Sequence, residues 1–313
     1  MTGLVTVGET MALLSAPGEG HLRHQRSLDL RIGGAESNAA IAVRRLGTPA
    51  AWIGRLGRDG MGDLVESTLR GEGVDVHVVR TDTPTSIMVK ERRPGGATHV
   101  RYYRRGGPGS ELSPRDLDEA VIAGAGILHV TGITPALSAS AAETVFAAIE
   151  IARGAGVDVS FDVNWRPTLW AATDATPVLH EIASRADVVF VGDDEVELLA
   201  PRADNELAQA HALARLGVRE VVVKRGARGA VALLDDVLVE QDAFPVRVVD
   251  PVGAGDAFAG AYLAELLAGS PVEQRLRTAA ACGALATTIV GDWEAAPTVD
   301  DLATFLGGPG VRR

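Results

Sequence analysis

The chain has 313 residues, 46% hydrophobic and 23% charged, so one large α/β domain or two ordinary ones can form and a mainly disordered chain is excluded. Acidic residues (41) outnumber lysine plus arginine (30), for a formal charge of −11. That balance argues against nucleic acid or an anionic membrane as the main partner, while leaving room for a local basic pocket around a small anion.

The N-terminal segment has no basic n-region, and no stretch reaches the roughly 20 charge-free apolar residues of a membrane helix, so a cytoplasmic protein is expected. Apolar runs near 3–7, 51–54, 126–130, 157–161, 187–191 and 219–223 are short and rich in Val and Ile. Several are nearly continuous, as strands covered on both faces should be. Helical patterns at 37–46, 61–71, 138–153, 174–184, 194–200 and 205–216 lie between many of them. This alternation predicts a parallel sheet with helices on both faces. Two stretches break it, residues 10–32 and residues 86–104. The second reads as a hairpin turning at Pro94-Gly95-Gly96, and together they are expected to project as a small β lid over one edge of the sheet. The tail holds Ala-rich helical patterns at 254–268 and 271–290 and a last short one at 298–306. No linker or internal repeat divides the chain, so residues 1–313 are expected to form one domain with a lid.

The single cysteine, Cys282, cannot form an internal disulfide and reads as a small core hydrophobe in an apolar helix. Lysine occurs only at Lys90 and Lys224 in a chain whose cations are otherwise arginine, so a lone lysine on a strand stands out. Neither the P-loop pattern nor a G-x-G-x-x-G after the first strand is present. Two other glycine-rich segments carry more information. In Gly33-Gly34-Ala35-Glu36-Ser37-Asn38 the paired glycines allow close approach of a ligand, and the same residues would serve as a turn and helix cap. In the second, strand-like Val246–Val249 feeds Asp250-Pro251-Val252-Gly253-Ala254-Gly255-Asp256, and an apolar helix follows at once. Backbone N–H groups of such a loop, with the helix N-terminus, form a cradle for a phosphoryl group. Asp256, at the helix start, is placed to act as general base on an attacking hydroxyl. A side chain at Gly255 is expected to crowd the loop and forbid its backbone conformation.

In this order and at this separation the two segments resemble the two signatures of the PfkB, or ribokinase-like, carbohydrate kinase family, a resemblance that covers essentially the whole chain. It implies an α/β three-layer sandwich with a mostly parallel central sheet and a small β lid. It also implies ATP as donor, Mg2+ as ion, Asp256 as catalytic base, and the backbone of Gly253, Ala254 and Gly255 as anion hole. A monovalent cation is a further candidate ion, and a homo-oligomer, dimer or larger, is expected because lid faces often pair in this family. Val221–Gly229 resembles the family's strand and glycine turn beside the nucleotide, which offers Lys224, Gly226 and Gly229 as nucleotide contacts. A lysine ending a buried strand would equally snorkel to solvent. Gly192-Asp193-Asp194-Glu195 stands where the family usually has Asn-x-x-Glu. Glu195 is retained for Mg2+, through water, while Gly192 replaces the amide.

The acceptor side is read from three places. Phe161–Trp170 follows a strand, so Arg166 is expected at a carboxyl edge, where ligands bind in open α/β sheets. Tyr102-Tyr103-Arg104 ends the lid hairpin, with Tyr102 and Arg104 on one side by the two-residue period and Tyr103 on the other. Two arginines, one from the sheet edge and one from the lid, would bracket an anionic acceptor, whereas a neutral sugar would leave them without partners. With Gly8-Glu9 and Gly291-Asp292-Trp293-Glu294, these segments resemble the 2-keto-3-deoxygluconate kinase subgroup. The expected acceptor contacts are Gly33, Gly34, Asn38, Tyr102, Arg104, Arg166 and Asp292. The reading is ATP-dependent phosphorylation of the primary hydroxyl of 2-keto-3-deoxygluconate. Fructokinase, ribokinase and 5-dehydro-2-deoxygluconokinase are alternatives within the class. A non-catalytic sugar or nucleotide sensor is the alternative outside it, and the intact Asp256 cradle speaks against that.

Overall fold

The computed structural model describes residues 3–93 and 98–307, so the expected turn at Pro94-Gly95-Gly96 lies outside the described residues. In chain order the strands are β1 (Leu4–Val7), β2 (Met11–Ser15), β3 (Asp29–Gly33), β4 (Ala50–Gly57), β5 (Asp75–Thr81), β6 (Ile87–Arg92), β7 (Thr98–Tyr103), β8 (Ile127–Thr131), β9 (Asp158–Asp162), β10 (Val188–Gly192), β11 (Glu220–Lys224), β12 (Ala230–Leu234) and β13 (Val237–Gln241). The α-helices are α1 (Ala35–Arg45), α2 (Gly60–Gly71), α3 (Glu119–Ala123), α4 (Ala139–Gly154), α5 (Ala172–Ala183), α6 (Glu206–Ala214), α7 (Ala254–Leu267), α8 (Val272–Ala286) and α9 (Val299–Leu306).

The continuous apolar runs become the interior of a nine-stranded sheet ordered β13-β12-β11-β10-β9-β8-β1-β4-β5. From β11 to β5 all neighbours are parallel, and β12 is antiparallel to both β11 and β13. Alternation along β10 shows why both sheet faces are dry. Val189 and Val191 pack on one side with Val145 and Ile149 of α4 and Leu179 of α5. Val188 and Phe190 pack on the other with Ile41 of α1, Leu263 of α7 and Leu276 of α8. The result is three layers, helices–sheet–helices. Cys282 is buried in the second of these clusters, and burial pushes its thiol up to about 12. Segments 10–32 and 86–104 supply a separate four-stranded sheet, ordered β3-β2-β6-β7, with its own apolar cluster of Met11, Leu13 and Met88. No helix of the described residues is long and apolar enough to cross a membrane.

Four local expectations are corrected. The pattern at 194–200 folds as a single 3-10 turn at Val196–Leu198, because the Glu195 carboxylate ties down the preceding chain and Pro201 prevents continuation. Val246–Val249 is not a strand; Val249 and Asp250 donate instead to the Thr287 carbonyl. The helix expected at 271–290 ends at Ala286, where the Thr287 and Thr288 hydroxyls bond back to the carbonyls of Ala284 and Leu285. Strands β5, β12 and β13 join the edges of the sheet without having been anticipated. The β12–β13 hairpin turns on Asp235 and Asp236, both at positive φ (50° and 60°), as a two-residue type I′ turn demands.

Candidate active site

The carboxyl ends of the parallel strands and the N-terminal ends of α1 and α7 surround two adjoining cavities. One, of about 560 Å3, is mostly apolar, with Phe244, Ala254 and Gly283 in its wall beside Gly226 and Gly229. The other, of about 530 Å3, lies under the lid, whose Met88, Tyr102 and Arg104 face Asn38, Arg166 and Asp256. Lys224, Pro251 and Gly255 belong to both walls, so the two spaces meet at the glycine loop.

That loop is shaped by one constrained glycine. Gly253 has φ +78°, and a Cβ there would lie 1.7 Å from the Asp292 carbonyl oxygen. The turn starts α7 at Ala254, whose N–H donates to the Pro251 carbonyl (3.4 Å), so the N–H groups of Gly255 and Asp256 are the ones its first turn leaves without a backbone partner. Gly255 differs from expectation. Its φ is not positive and the nearest atom to a Cβ placed there would be Lys224 Nζ at 3.5 Å, so a side chain would fill cavity space and not strain the loop. Gly229 is strained for any other residue, at φ +87° with the Gln241 carbonyl 2.0 Å from a Cβ.

Asp256 is half-buried where the cavities meet. Asn38 Nδ2 donates to its Oδ2 (2.8 Å) and Asn164 Nδ2 to its Oδ1 (3.4 Å). Burial, with the charge of Asp162, pushes its carboxyl up to about 7 against the opposing influence of Asn38, Arg166 and Lys224. A carboxylate poised there can exchange a proton with a hydroxyl near neutral pH. Asn164, at φ +37°, holds an unusual backbone conformation, which asparagine tolerates better than most residues. Lys224 does not snorkel free. Its Nζ donates to both oxygens of buried Asp162 (2.8 and 2.7 Å). Burial opposes its charge, but Asp162 and Glu195 outweigh that and hold the ammonium above the ordinary lysine range.

Glu195 is buried and accepts from the N–H groups of Trp165 (2.7 Å) and Gly192 (2.8 Å), and burial raises its pKa. A Cβ on Gly192 would lie 2.7 Å from Asp194 Oδ1 and 3.1 Å from Glu195 Oε2. Gly192 thus contributes only its backbone N–H, to Glu195, and leaves no room for a side chain such as the expected amide unless Asp194 moves. Among the described residues no group of three or more His, Cys, Asp or Glu side chains is placed to hold a metal ion. Glu195 and Asp194, both on the cavity wall, fit Mg2+, which is usually held by one or two carboxylates with water and phosphate completing its shell.

The acceptor-side residues divide. Gly34, Asn38, Tyr102, Arg104, Arg166 and Asp292 line the lid cavity. Gly33 does not; Met88 Cε and Asp292 Oδ2 cover it at 2.2 and 2.3 Å from a hypothetical Cβ. Tyr103 is exposed and outside the cavity wall. Arg104 corrects the expectation that both guanidiniums await an anion. Its side chain is largely buried, its Nη2 is 2.5 Å from Glu9 Oε2, and its guanidinium lies 5.5 Å from the Tyr102 ring. Ser86 Oγ donates to the other oxygen of Glu9 (2.7 Å). Arg166 is exposed on the loop after β9, donates to the Trp165 carbonyl (3.3 Å), and has no carboxylate partner among the described residues. Asp292 is buried, and burial pushes its carboxyl up to about 6.

Sequence reasoning assigned no role to Asp162, Asn164, Glu36 or Lys90, though lysine scarcity marked Lys90, and it named Glu9 only as part of Gly8-Glu9. Asp162 and Asn164 are polar residues directly after a continuous apolar strand, which was a usable signal. Glu36, fully buried, accepts from the hydroxyls of Thr131 and Thr134 (2.7 Å each), partners with no sequence signature.

A half-buried carboxylate at a helix N-terminus, beside a glycine turn where two cavities meet, is an arrangement that suits phosphoryl transfer to an alcohol. Residues 1–299 match the pfkB family carbohydrate kinase profile, and the chain belongs to that family. It is 36% identical to a 2-dehydro-3-deoxygalactonokinase of Haloferax volcanii, over 97% of this chain and 96% of the relative. It is 35% identical to a 2-dehydro-3-deoxygluconokinase of Bacillus subtilis, over 96% and 94%. Its structure is similar to that of the Thermotoga maritima 2-dehydro-3-deoxygluconokinase (TM-score 0.90, 27% identity, 98% of this chain and 100% of that one). It is also similar to an Escherichia coli protein in complex with ATP and Mg2+ (TM-score 0.90, 28% identity, 98% and 99%).

Proposed function

We propose that this carbohydrate kinase transfers the γ-phosphoryl group of ATP to the primary hydroxyl of 2-keto-3-deoxygluconate, giving the 6-phospho product and ADP. The observation that carries the acidic acceptor is Arg166, a guanidinium on the lid-cavity wall without a carboxylate partner among the described residues. Its planar fork suits a carboxylate. The names of the Bacillus and Thermotoga relatives support the same acceptor, and the Haloferax relative extends the reading to its epimer, which differs in the configuration of one hydroxyl and keeps the carboxylate.

In this reading Asp256 takes the hydroxyl proton as the acceptor oxygen forms its bond to phosphorus, and the bond to the ADP oxygen breaks. Asn38 and Asn164 orient the carboxylate. The N–H groups at the start of α7 face the transferring phosphoryl, and Lys224 stands at the junction of the two cavities. ATP occupies the cavity beside Gly226 and Gly229, and the similar E. coli protein in complex with ATP and Mg2+ supports ATP as the donor. Mg2+, when bound, neutralises phosphate charge, and Glu195 with Asp194 would hold it through water. Self-association rests on the lid, where Leu30 and Tyr103 are large apolar side chains left exposed.

The test is ADP release with one acidic and one neutral acceptor. Arg166→Ala removes a charge-assisted contact of roughly 1.5–3 kcal/mol, so kcat/KM for 2-keto-3-deoxygluconate falls about 10–150-fold while a weakly accepted neutral sugar is little affected. Arg166→Lys restores part of the loss, since it keeps charge without the fork. Equal proportional losses on both acceptors would remove the sugar-acid reading and leave the kinase standing.

A further inference from the structure

The most deeply placed cation of the lid takes no part in the chemistry described so far. Lys90 lies on β6 and is 1% exposed, a rare position for an ammonium. Its nitrogen has three donors, and three acceptors surround it: Asp250 Oδ2 at 2.6 Å, the Gly291 carbonyl at 2.8 Å and Asp292 Oδ1 at 3.1 Å. Asp250 is itself wholly buried and opens the glycine loop. Its Oδ1 accepts from the Val252 N–H and its Oδ2 from the Gly291 N–H (both 3.3 Å). The Asp292 carbonyl oxygen in turn covers the Cα of Gly253. One ammonium therefore holds together the two chain segments whose contact sets the turn into α7, three residues before Asp256.

We infer that Lys90 is a positioning residue for phosphoryl transfer, the resident cation that fixes the loop of the anion cradle from the lid side. Without it two buried carboxylates would face each other across the loop with no counter-charge, and like charges at such a distance drive their segments apart. Two carboxylates and a carbonyl are also a donor set that a bare monovalent cation would take, and here the ammonium fills it. Turnover therefore needs no added monovalent cation at this position. The lid and the cradle are joined through the same atom, so the strand that covers the acceptor also keeps the phosphate-facing turn in register.

This inference rests on the glycine loop being the cradle, and its test uses whichever acceptor the enzyme turns over best, so failure of the sugar-acid reading leaves it intact. Wild-type turnover is measured with sodium, potassium, ammonium, methylammonium or tetramethylammonium chloride as the only added monovalent salt, and the same panel is applied to Lys90→Met and Lys90→Ala. The wild type is expected to be indifferent to the salt. The folded variants lose about 100-fold in kcat, the scale of a reacting group displaced by about 1 Å, with KM for ATP nearly unchanged. Ammonium or methylammonium restores part of the Lys90→Ala loss, which a merely structural lysine would not allow. Folded variants that keep kcat within a few-fold of wild type overturn the inference. So does a loss that no small cation relieves. If neither variant folds, the wild-type panel decides, and a requirement for potassium overturns it. An Asp256→Asn enzyme that stays active while Lys90 behaves as expected would instead refute the base assignment.

Discussion

Replacing Asp256 by asparagine separates two consequences of one half-buried charge. Asparagine keeps the size of the side chain and can still accept from Asn38, but it cannot take a proton. Loss of a general base costs about 10²–10⁴-fold in kcat. The same substitution should stabilise the fold. An ordinary aspartate ionises near 3.8 and Asp256 near 7. At 1.36 kcal/mol per pH unit, holding it ionised costs the folded chain up to about 4 kcal/mol. Because the folded pKa is the higher one, the native state binds more protons than the unfolded chain between those values, and wild-type stability falls as pH rises through that window. The variant is therefore more stable than wild type above pH 7, and its advantage fades as pH falls toward 4. Asn164 would face an amide where it now donates to a carboxylate, so part of the gain is lost. Thermal unfolding should show roughly 2–4 °C of advantage for each kcal/mol realised. The wild-type kcat/KM should rise with pH through about 7 as the base deprotonates, and the variant should lack that limb. A variant keeping more than about half of the wild-type kcat would refute the base, given the loss expected from removing one. A stability difference independent of pH would refute the burial argument.

Two further substitutions test the surroundings. Gly253→Ala meets both a positive φ and the Asp292 carbonyl, so turnover should collapse and the melting temperature fall, whereas Gly255→Ala should leave thermal stability close to wild type; equal damage from both would contradict the loop geometry. Lys224→Met leaves Asp162 buried without its partner and should lower stability by about 3–5 kcal/mol in urea unfolding, with Asp162→Asn added to it recovering part of the loss. A double variant as unstable as the single one would show that the pair is not coupled.

The sequence disclosed what depends on neighbours in the chain. Strands covered on both faces, such as β10 and β11, declare themselves as unbroken Val-rich apolar runs, and the cradle is a contiguous string. Edge strands were harder. β5 is mostly half-buried, and β13 mixes half-buried and exposed residues, so neither carries such a run; the Asp235-Asp236 turn lacks the glycine that usually marks a type I′ hairpin. Pairings distant in sequence left no trace. The partner that Glu9 gives Arg104 could not be foreseen, and it removed half of the argument from two unpartnered arginines. Lysine scarcity did flag Lys90 and Lys224, but not that each would be locked to buried aspartates.

The lid's strand order carries a consequence for how the molecule assembles. Its central pairing sets Ala12 of β2 beside Ile87 of β6, with β3, α1, β4, α2 and β5 intervening in the chain. Contacts of such separation form late, since loop closure opposes them until nearby structure shortens the path. The β2–β3 hairpin emerges early in synthesis with the edge of β2 open until β6 arrives, and an unpaired edge is a template for wrong partners. The interval between translation of β3 and of β7 is thus when the nascent chain is most exposed to misassociation, and the acceptor cavity is among the last features to exist.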